Sequence, residues 1–271
     1  MIPENFIEQW RLSAPWQSLE MVEQDLVISR ALVNLYNNVK VAESLAFRGG
    51  TALNKIYISP AARYSEDSDL VQIKPEPIGE THKAVRDALD SWLGEPKSKV
   101  TNRGIKLIYR YFSLNNLPAK LKVEINTTEH FHIKPLTTFN YTVNSDWFEG
   151  EADILTYQLD ELMATKLSAL YQRSKGRDLF DLWLVKKHKL IDLPNVLSIF
   201  TAYCQKTNSH ITRAMFEQGL FQKRSRSDFK YDIEPLLKPD LQWNFEEAFQ
   251  MVEQEIIGYL PGEPWKGKKT L

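Results

Sequence analysis

Phe47-Arg48-Gly49-Gly50-Thr51-Ala52-Leu53-Asn54-Lys55, followed by Arg63-Tyr64-Ser65-Glu66-Asp67-Ser68-Asp69-Leu70, is the stretch on which the reading of this chain turns. A double glycine stands where a short strand gives way to a helix, and an Asp-x-Asp pair opens the strand that follows. Glycine lets backbone approach a ligand closely and adopt positive φ without steric cost. The first N–H groups of a helix have no intrahelical partner and sit at the positive end of its dipole, which suits a phosphate. Thr51 adds a hydroxyl. Residues two apart in a strand share a face, so Asp67 and Asp69 present their carboxylates side by side. Hard divalent cations take such oxygens together with substrate phosphates. Singly, a Gly-Gly is an ordinary turn and an Asp-x-Asp an ordinary surface or cap. In this order they are a way to hold a triphosphate and its metal ions in one place.

Composition bounds the rest. At 271 residues, with 43% hydrophobic and 25% charged residues, the chain has the make-up of one large or two ordinary soluble domains. Its single cysteine, Cys204, excludes an internal disulfide and a cysteine-rich zinc site and fits a reducing compartment. No apolar run reaches the roughly 20 residues of a membrane span. Met1-Ile2-Pro3-Glu4-Asn5 lacks a basic region followed by an apolar one, so no signal peptide is expected and a cytoplasmic location is the default. The net charge of −1 makes no general appeal to nucleic acid. Ala164–Lys189 is locally basic, which is either a solvated helix face or a positive face for nucleotide or RNA.

Outward from the opening stretch, Ser18 caps a helix to about Tyr36 in which Leu19, Val22, Leu26 and Val33 recur at helical spacing. Leu45–Arg48 reads as a strand, Thr51–Ile58 as a helix ended by Pro60, and Asp69–Ile73 as a strand. An amphipathic helix over 80–94 follows, then alternating strands from Gly104 to Leu114 and from Ala119, joined by the turn Asn115-Asn116-Leu117-Pro118. Residues 138–145 offer another short strand. After about Leu155 helical patterns dominate: 157–173, 178–188, 193–205, 209–221 and 243–258. A boundary near residue 150 separates an α/β half, 1–150, from a helical half, 151–271, which is expected to complete the active-site cleft. The basic tail from Trp265 to Leu271 is expected to fray.

Three further sites carry chemistry. The second strand of the hairpin puts Lys122, Glu124 and Asn126 on one face. If it neighbours the aspartate strand, Glu124 becomes a third carboxylate, and two metals can then activate an attacking oxygen and stabilise a leaving one. Otherwise Glu124 is a solvated hairpin residue. Lys166 falls within the apolar stripe of Leu159, Leu162, Met163 and Leu170. An ammonium there needs a buried partner, a snorkelling stem or a cleft to reach into. Asp178 and Asp181, three apart, share a helix face, and Asp178 can cap that helix or pair with Arg177 or Lys166. His130-x-His132 has no acid or thiol pattern beside it and reads as an ordinary surface pair.

These blocks resemble a family. Phe47–Lys55, Arg63–Leu70, Lys122–Ile125 and Leu162–Trp183 are similar, in the same order, to the AbiEii/AbiGii-type nucleotidyltransferase toxins, which include the MenT toxins. The resemblance implies an α+β fold, a polymerase β-like nucleotidyltransferase core with a helical C-terminal half. It implies transfer of NMP from an NTP to an acceptor, with Mg²⁺ or Mn²⁺, pyrophosphate leaving. The acceptor it implies is RNA, the 3′ end of tRNA, and the partner an AbiEi-type antitoxin, with no membrane involved. By matching motif, Arg48, Gly49, Gly50, Thr51 and Ser65 would hold nucleotide. Asp67, Asp69 and Glu124 would bind metal, Lys166 would serve as essential lysine and nucleotide contact, and Asp178 would be the acidic residue after it, counted with the catalytic set. Two positions depart from the wider superfamily: Gly50-Thr51 stands for its usual Gly-Ser, and Glu124 for its usual aspartate. The rival readings are a two-metal RNA nuclease, which needs the carboxylates but no phosphate cradle, and a catalytically inactive partner-binding module.

Overall fold

A computed structural model describes residues 2–267 of the chain. It divides into two compact units: residues up to Gln158 with Leu236–Asp240, and Leu159–Pro235 with residues from Leu241 on. The division falls after Gln158, not near residue 150, because a strand pair spans that point. Most of the basic tail lies outside the described residues.

The first unit comprises α1 (Glu4–Trp10), α2 (Leu19–Tyr36), α3 (Val39–Ser44), β1 (Leu45–Arg48), α4 (Gly49–Ala52), β2 (Asp67–Gln72), α5 (Gly79–Leu93), β3 (Lys97–Thr101), β4 (Gly104–Phe112), β5 (Pro118–Asn126), β6 (Thr137–Ser145) and β7 (Phe148–Thr156). The strands form one mixed sheet in the order β3-β4-β5-β2-β1-β7-β6. β2 runs antiparallel to β1 and parallel to β5; β1 also runs parallel to β7. α2 begins at Ser18, whose Oγ accepts the Met21 N–H, and it buries Val22, Leu26 and Val33. The core-facing row of the sheet, Leu70, Leu107, Tyr109, Leu121, Val123 and Ile125, is buried. Each such side chain stabilises the fold by about 1.5–3 kcal/mol. Tyr109 Oη donates to Asp90 of α5, so α5 packs on this face.

Two strands escape the sequence pattern. β3, Lys-Ser-Lys-Val-Thr, is an exposed edge strand with no apolar row to reveal it. β7 carries Glu149, Gly150, Glu151 and Asp153, residues depleted in strands, yet it pairs along its length with β6. The helix expected over Thr51–Ile58 begins earlier, at Gly49, and its second half is a π turn, Leu53–Tyr57, in which the Ile58 N–H reaches the Leu53 carbonyl.

The second unit is helical: α6 (Leu159–Gln172), α7 (Gly176–Lys187), α8 (Leu193–Lys206), α9 (Arg213–Arg224), α10 (Ser227–Lys230) and α11 (Phe245–Glu255). Phe180, Trp183 and Trp243 meet with ring centroids 5.2–5.7 Å apart. α7 can start where it does because Gly176 has no side chain: a Cβ there would lie 2.1 Å from the Phe229 carbonyl oxygen. Among the described residues no helix is long and apolar enough to cross a membrane.

Candidate active site

The register of three strands builds the site. Arg48 of β1 stands opposite Asp69 of β2, and Asp69 stands opposite Glu124 of β5. Asp67 stands opposite Lys122 one rung away. Paired residues share a face, so Asp67, Asp69 and Glu124 lie together on the face turned away from the buried row. They are half-buried, while the alternate residues Ser68, Leu70, Val123 and Ile125 are buried. Alternation dictates this split, and the parallel β2–β5 pairing makes two aspartates and a distant glutamate neighbours.

The glycine turn closes over the same face. Gly49 has φ +82°, a conformation that disfavours other residues, and a Cβ on it would lie 2.3 Å from Asp69 Oδ2. The missing side chain is what lets the Asp69 carboxylate sit against the start of α4. Gly50 plays the same part for another group: a Cβ there would lie 2.4 Å from Arg63 Nη2 and 3.2 Å from Ser65 Oγ. Arg63 is fully buried, bonded to the Tyr64 carbonyl, and its backbone N–H is taken by Asn54 Oδ1. Thr51 is buried, with its hydroxyl bonded to the Asp67 carbonyl and 2.9 Å from Ser65 Oγ. It ties the helix start to β2 instead of pointing outward. Ser65 and Gly49 are half-buried, and Gly50 is buried.

Cations interleave with the acids. Lys122 Nζ lies 2.8 Å from Asp67, and Lys106 Nζ 2.7 Å from Glu124. Burial works against the Lys122 charge, but its hydrogen bond to Asp67 and the neighbouring Glu66 and Glu124 outweigh it and raise its pKa. Arg48 Nη1 is 2.6 Å from Glu129. Burial again opposes its charge, and Glu129, with Asp69 behind it, turns the net shift upward.

Lys166 and Asp178 belong to the second unit. Lys166 is 5% exposed, and its ammonium lies 3.1 Å from Asp178 and 2.9 Å from Asp181. Of the alternatives its place on the apolar stripe left open, it has taken the buried partner. Asp178 does not cap α7; it takes Lys166 and both Nε and Nη2 of Arg173. Burial would raise the Asp178 pKa, but Lys166 and Arg173 prevail and hold it down at about 2. Sequence reasoning did not assign roles to Asp181, Arg63, Lys122, Lys106 or Glu129. Lys122 was legible as a face-mate of Glu124; the others depend on tertiary contacts.

The donor set suits a hard divalent ion: carboxylate oxygens from adjacent strands on one face, with the Asp69 carboxylate packed against the glycine turn. As they stand, Asp67 and Glu124 are turned to their lysines. Among the described residues no three Asp, Glu, His or Cys side chains surround one point. The residues fit a metal in donor chemistry and in sharing one face of the sheet. His130 and His132 bond through Nδ1 to the carbonyls of Gln72 and Lys134 and take no part.

A family model described as "Nucleotidyl transferase AbiEii toxin, Type IV TA system" matches residues 30–251. MenT4, a nucleotidyltransferase toxin from Mycobacterium tuberculosis H37Rv, superposes with a TM-score of 0.66 over 96% of this chain and 91% of that one, at 18% identity, and so shares the fold. An antigenic nucleotidyltransferase-like protein from Paracoccidioides brasiliensis gives a TM-score of only 0.39 at 14% identity, covering 66% and 88%, and carries no argument. No curated protein matches.

Proposed function

The chain belongs to the family of AbiEii nucleotidyltransferase toxins of type IV toxin–antitoxin systems, and we propose that it transfers NMP from an NTP to the 3′ end of an RNA, most simply a tRNA, in the cytoplasm. Membership brings with it a nucleotide substrate and an antitoxin partner; the partner proposed is of AbiEi type. The observation that carries the reading is the register Arg48–Asp69–Glu124, with Asp67 one rung away, beside the Gly49-Gly50 helix start. A nuclease would need the acids but not the cradle.

In this reading the N–H groups at Gly49 and Gly50, with Ser65 and Arg48, bind the triphosphate. Thr51 acts one layer back, fixing the turn to β2. Asp67, Asp69 and Glu124 would hold Mg²⁺ or Mn²⁺, whose chemistry is to neutralise phosphate charge and acidify the acceptor hydroxyl. Glu124 orients the acceptor 3′-hydroxyl and takes its proton. The hydroxyl oxygen forms a bond to the α-phosphorus while the bond from that phosphorus to the β-phosphate oxygen breaks, and pyrophosphate leaves. Lys122 and Lys106 steady the carboxylates until ligands replace them. Lys166, buried against Asp178 and Asp181, is the essential lysine of this reading.

Incubation of the purified chain with α-labelled NTPs, Mg²⁺ and total RNA tests this. Label is expected on the 3′ end of one RNA class, and Asp67→Asn is expected to abolish it. No labelling by the wild type, or equal labelling by Asp67→Asn, would falsify the proposal.

A further inference from the structure

The face that carries the three acids continues across β5, β4 and β3, and there its character changes. Beyond Glu124 and Lys122 on β5 comes Lys120; β4 contributes Lys106, Ile108, Arg110 and Phe112; β3 contributes Lys97 and Lys99. The tethering helix on this part of the sheet, α5, packs on the opposite side through Tyr109. Lys97, Lys99, Arg110, Phe112 and Lys120 are all exposed, Phe112 by 59%.

Two register pairs set like charges directly opposite one another: Lys99 faces Lys106, and Arg110 faces Lys120. Such pairs destabilise a sheet. Lys106 is compensated by Glu124. Among the described residues Lys97, Lys99, Arg110 and Lys120 enter no ion pair. Protection of a sheet edge explains lysines on β3. Arg110 and Lys120 lie beyond the spans where β3 and β2 pair, on the two-stranded end of the β4–β5 hairpin, and there they face one another. The chain's net charge is −1, so this concentration is local and not an overflow of a basic protein.

Spacing fits an extended polyanion. At about 3.3 Å per residue, Lys120 lies roughly 13 Å along β5 from Glu124, and the Phe112–Pro118 pair roughly 20 Å from it. Unpaired cations leading away from a catalytic acid and ending on an exposed aromatic ring form the combination that binds single strands, charge for the backbone and a ring for a base.

We propose that the open face of β3, β4 and β5 is the track for the acceptor strand: a single-stranded RNA 3′ end whose phosphates lie along Lys97, Lys99, Arg110 and Lys120 and one of whose bases stacks on Phe112. This deepens the transfer reading above and rests on it for the identity of the strand. Fluorescence anisotropy with a short labelled single-stranded RNA, over a salt series on the full chain, measures it. The triple variant Lys99→Gln, Arg110→Gln, Lys120→Gln is expected to bind at least tenfold more weakly. Its plot of log affinity against log salt should be shallower by about 2, from roughly 0.7 per phosphate contact. Phe112→Ala is expected to weaken binding about tenfold with the slope unchanged. Thermal stabilisation by NTP with Mg²⁺ should be retained in both, which reports that they fold and keep the nucleotide site. Wild-type affinity and slope in the triple variant overturn the track, as does a wild type that binds no RNA. Displacement of the RNA by polyglutamate as effectively as by unlabelled RNA also overturns it and marks the face as a seat for an acidic polypeptide. Lysine-dependent RNA binding without labelling from NTP keeps the track and sinks the transfer reading instead.

Discussion

Replacing Gly49 by alanine tests the link between the glycine turn and the acids. The added Cβ would lie 2.3 Å from Asp69 Oδ2 and 3.1 Å from both Asp69 Cβ and Cγ. Ordinary contact begins near 3.4 Å, so the carboxylate must retreat by about 1 Å, the gap between the two distances. Asp69 is paired to Arg48 on one side and Glu124 on the other, so its strand is held and its side-chain torsion has to move. A 1 Å misplacement of a reacting group costs about 100-fold in rate, which is roughly 2.7 kcal/mol of transition-state stabilisation. The φ of +82° adds a conformational cost of about 1–2 kcal/mol for a residue with a Cβ. Gly49→Ala is therefore expected to lower unfolding free energy by about 1–2 kcal/mol in urea titration and labelling of RNA from α-labelled NTP by about 100-fold. A folded Gly49→Ala protein that labels RNA within threefold of wild type would refute the reasoning, because Asp69 would then not need its position against the turn.

Other outcomes follow from the second unit and the cradle. Lys166→Met leaves Asp178 and Asp181 without their shared ammonium and is expected to cost about 3–5 kcal/mol. Adding Asp181→Asn should recover stability, and activity that stays lost after that recovery identifies Lys166 as more than a structural partner. Asp178, held at about 2 in the fold, contributes stability that is full above its ordinary 3.8 and is lost as pH falls through about 2. Its share is roughly 2 kcal/mol, and Asp178→Asn should flatten that acid limb in denaturation measured between pH 5 and 2.5. Gly176→Ala drives a Cβ to 2.1 Å from the Phe229 carbonyl, a backbone atom that cannot rotate away. It is expected to lower the melting temperature by several degrees, about 2 °C or more for each kcal/mol in a chain of this size.

Much of the site was written in local sequence. The strand at Leu45–Arg48, the glycine turn and the aspartates at i and i+2 need only backbone geometry and a period of two. The same period put Glu124 beside Lys122 and opposite in direction to Val123. Helical periodicity alone put Lys166 on a face where it required compensation, and burial at 5% shows the requirement was real. Edge strand β3 and acidic β7 were not legible, because their pairing comes from neighbours and not from their own patterns.

What the sequence determined by itself, then, is which side of each element every chemical group occupies, since side-chain direction is a local consequence of backbone period. What only tertiary structure decided is which groups meet. Parallel pairing of β2 with β5 brings Glu124 to Asp69 across a long stretch of chain. The same register assigns Lys122 to Asp67 and Lys106 to Glu124. Packing of α7 on α6 answers the buried charge of Lys166 with two aspartates instead of one. Gly49 has a local reason to be glycine in its φ of +82° and a tertiary one no local rule contains: the carboxylate of Asp69 occupies the space its side chain would need.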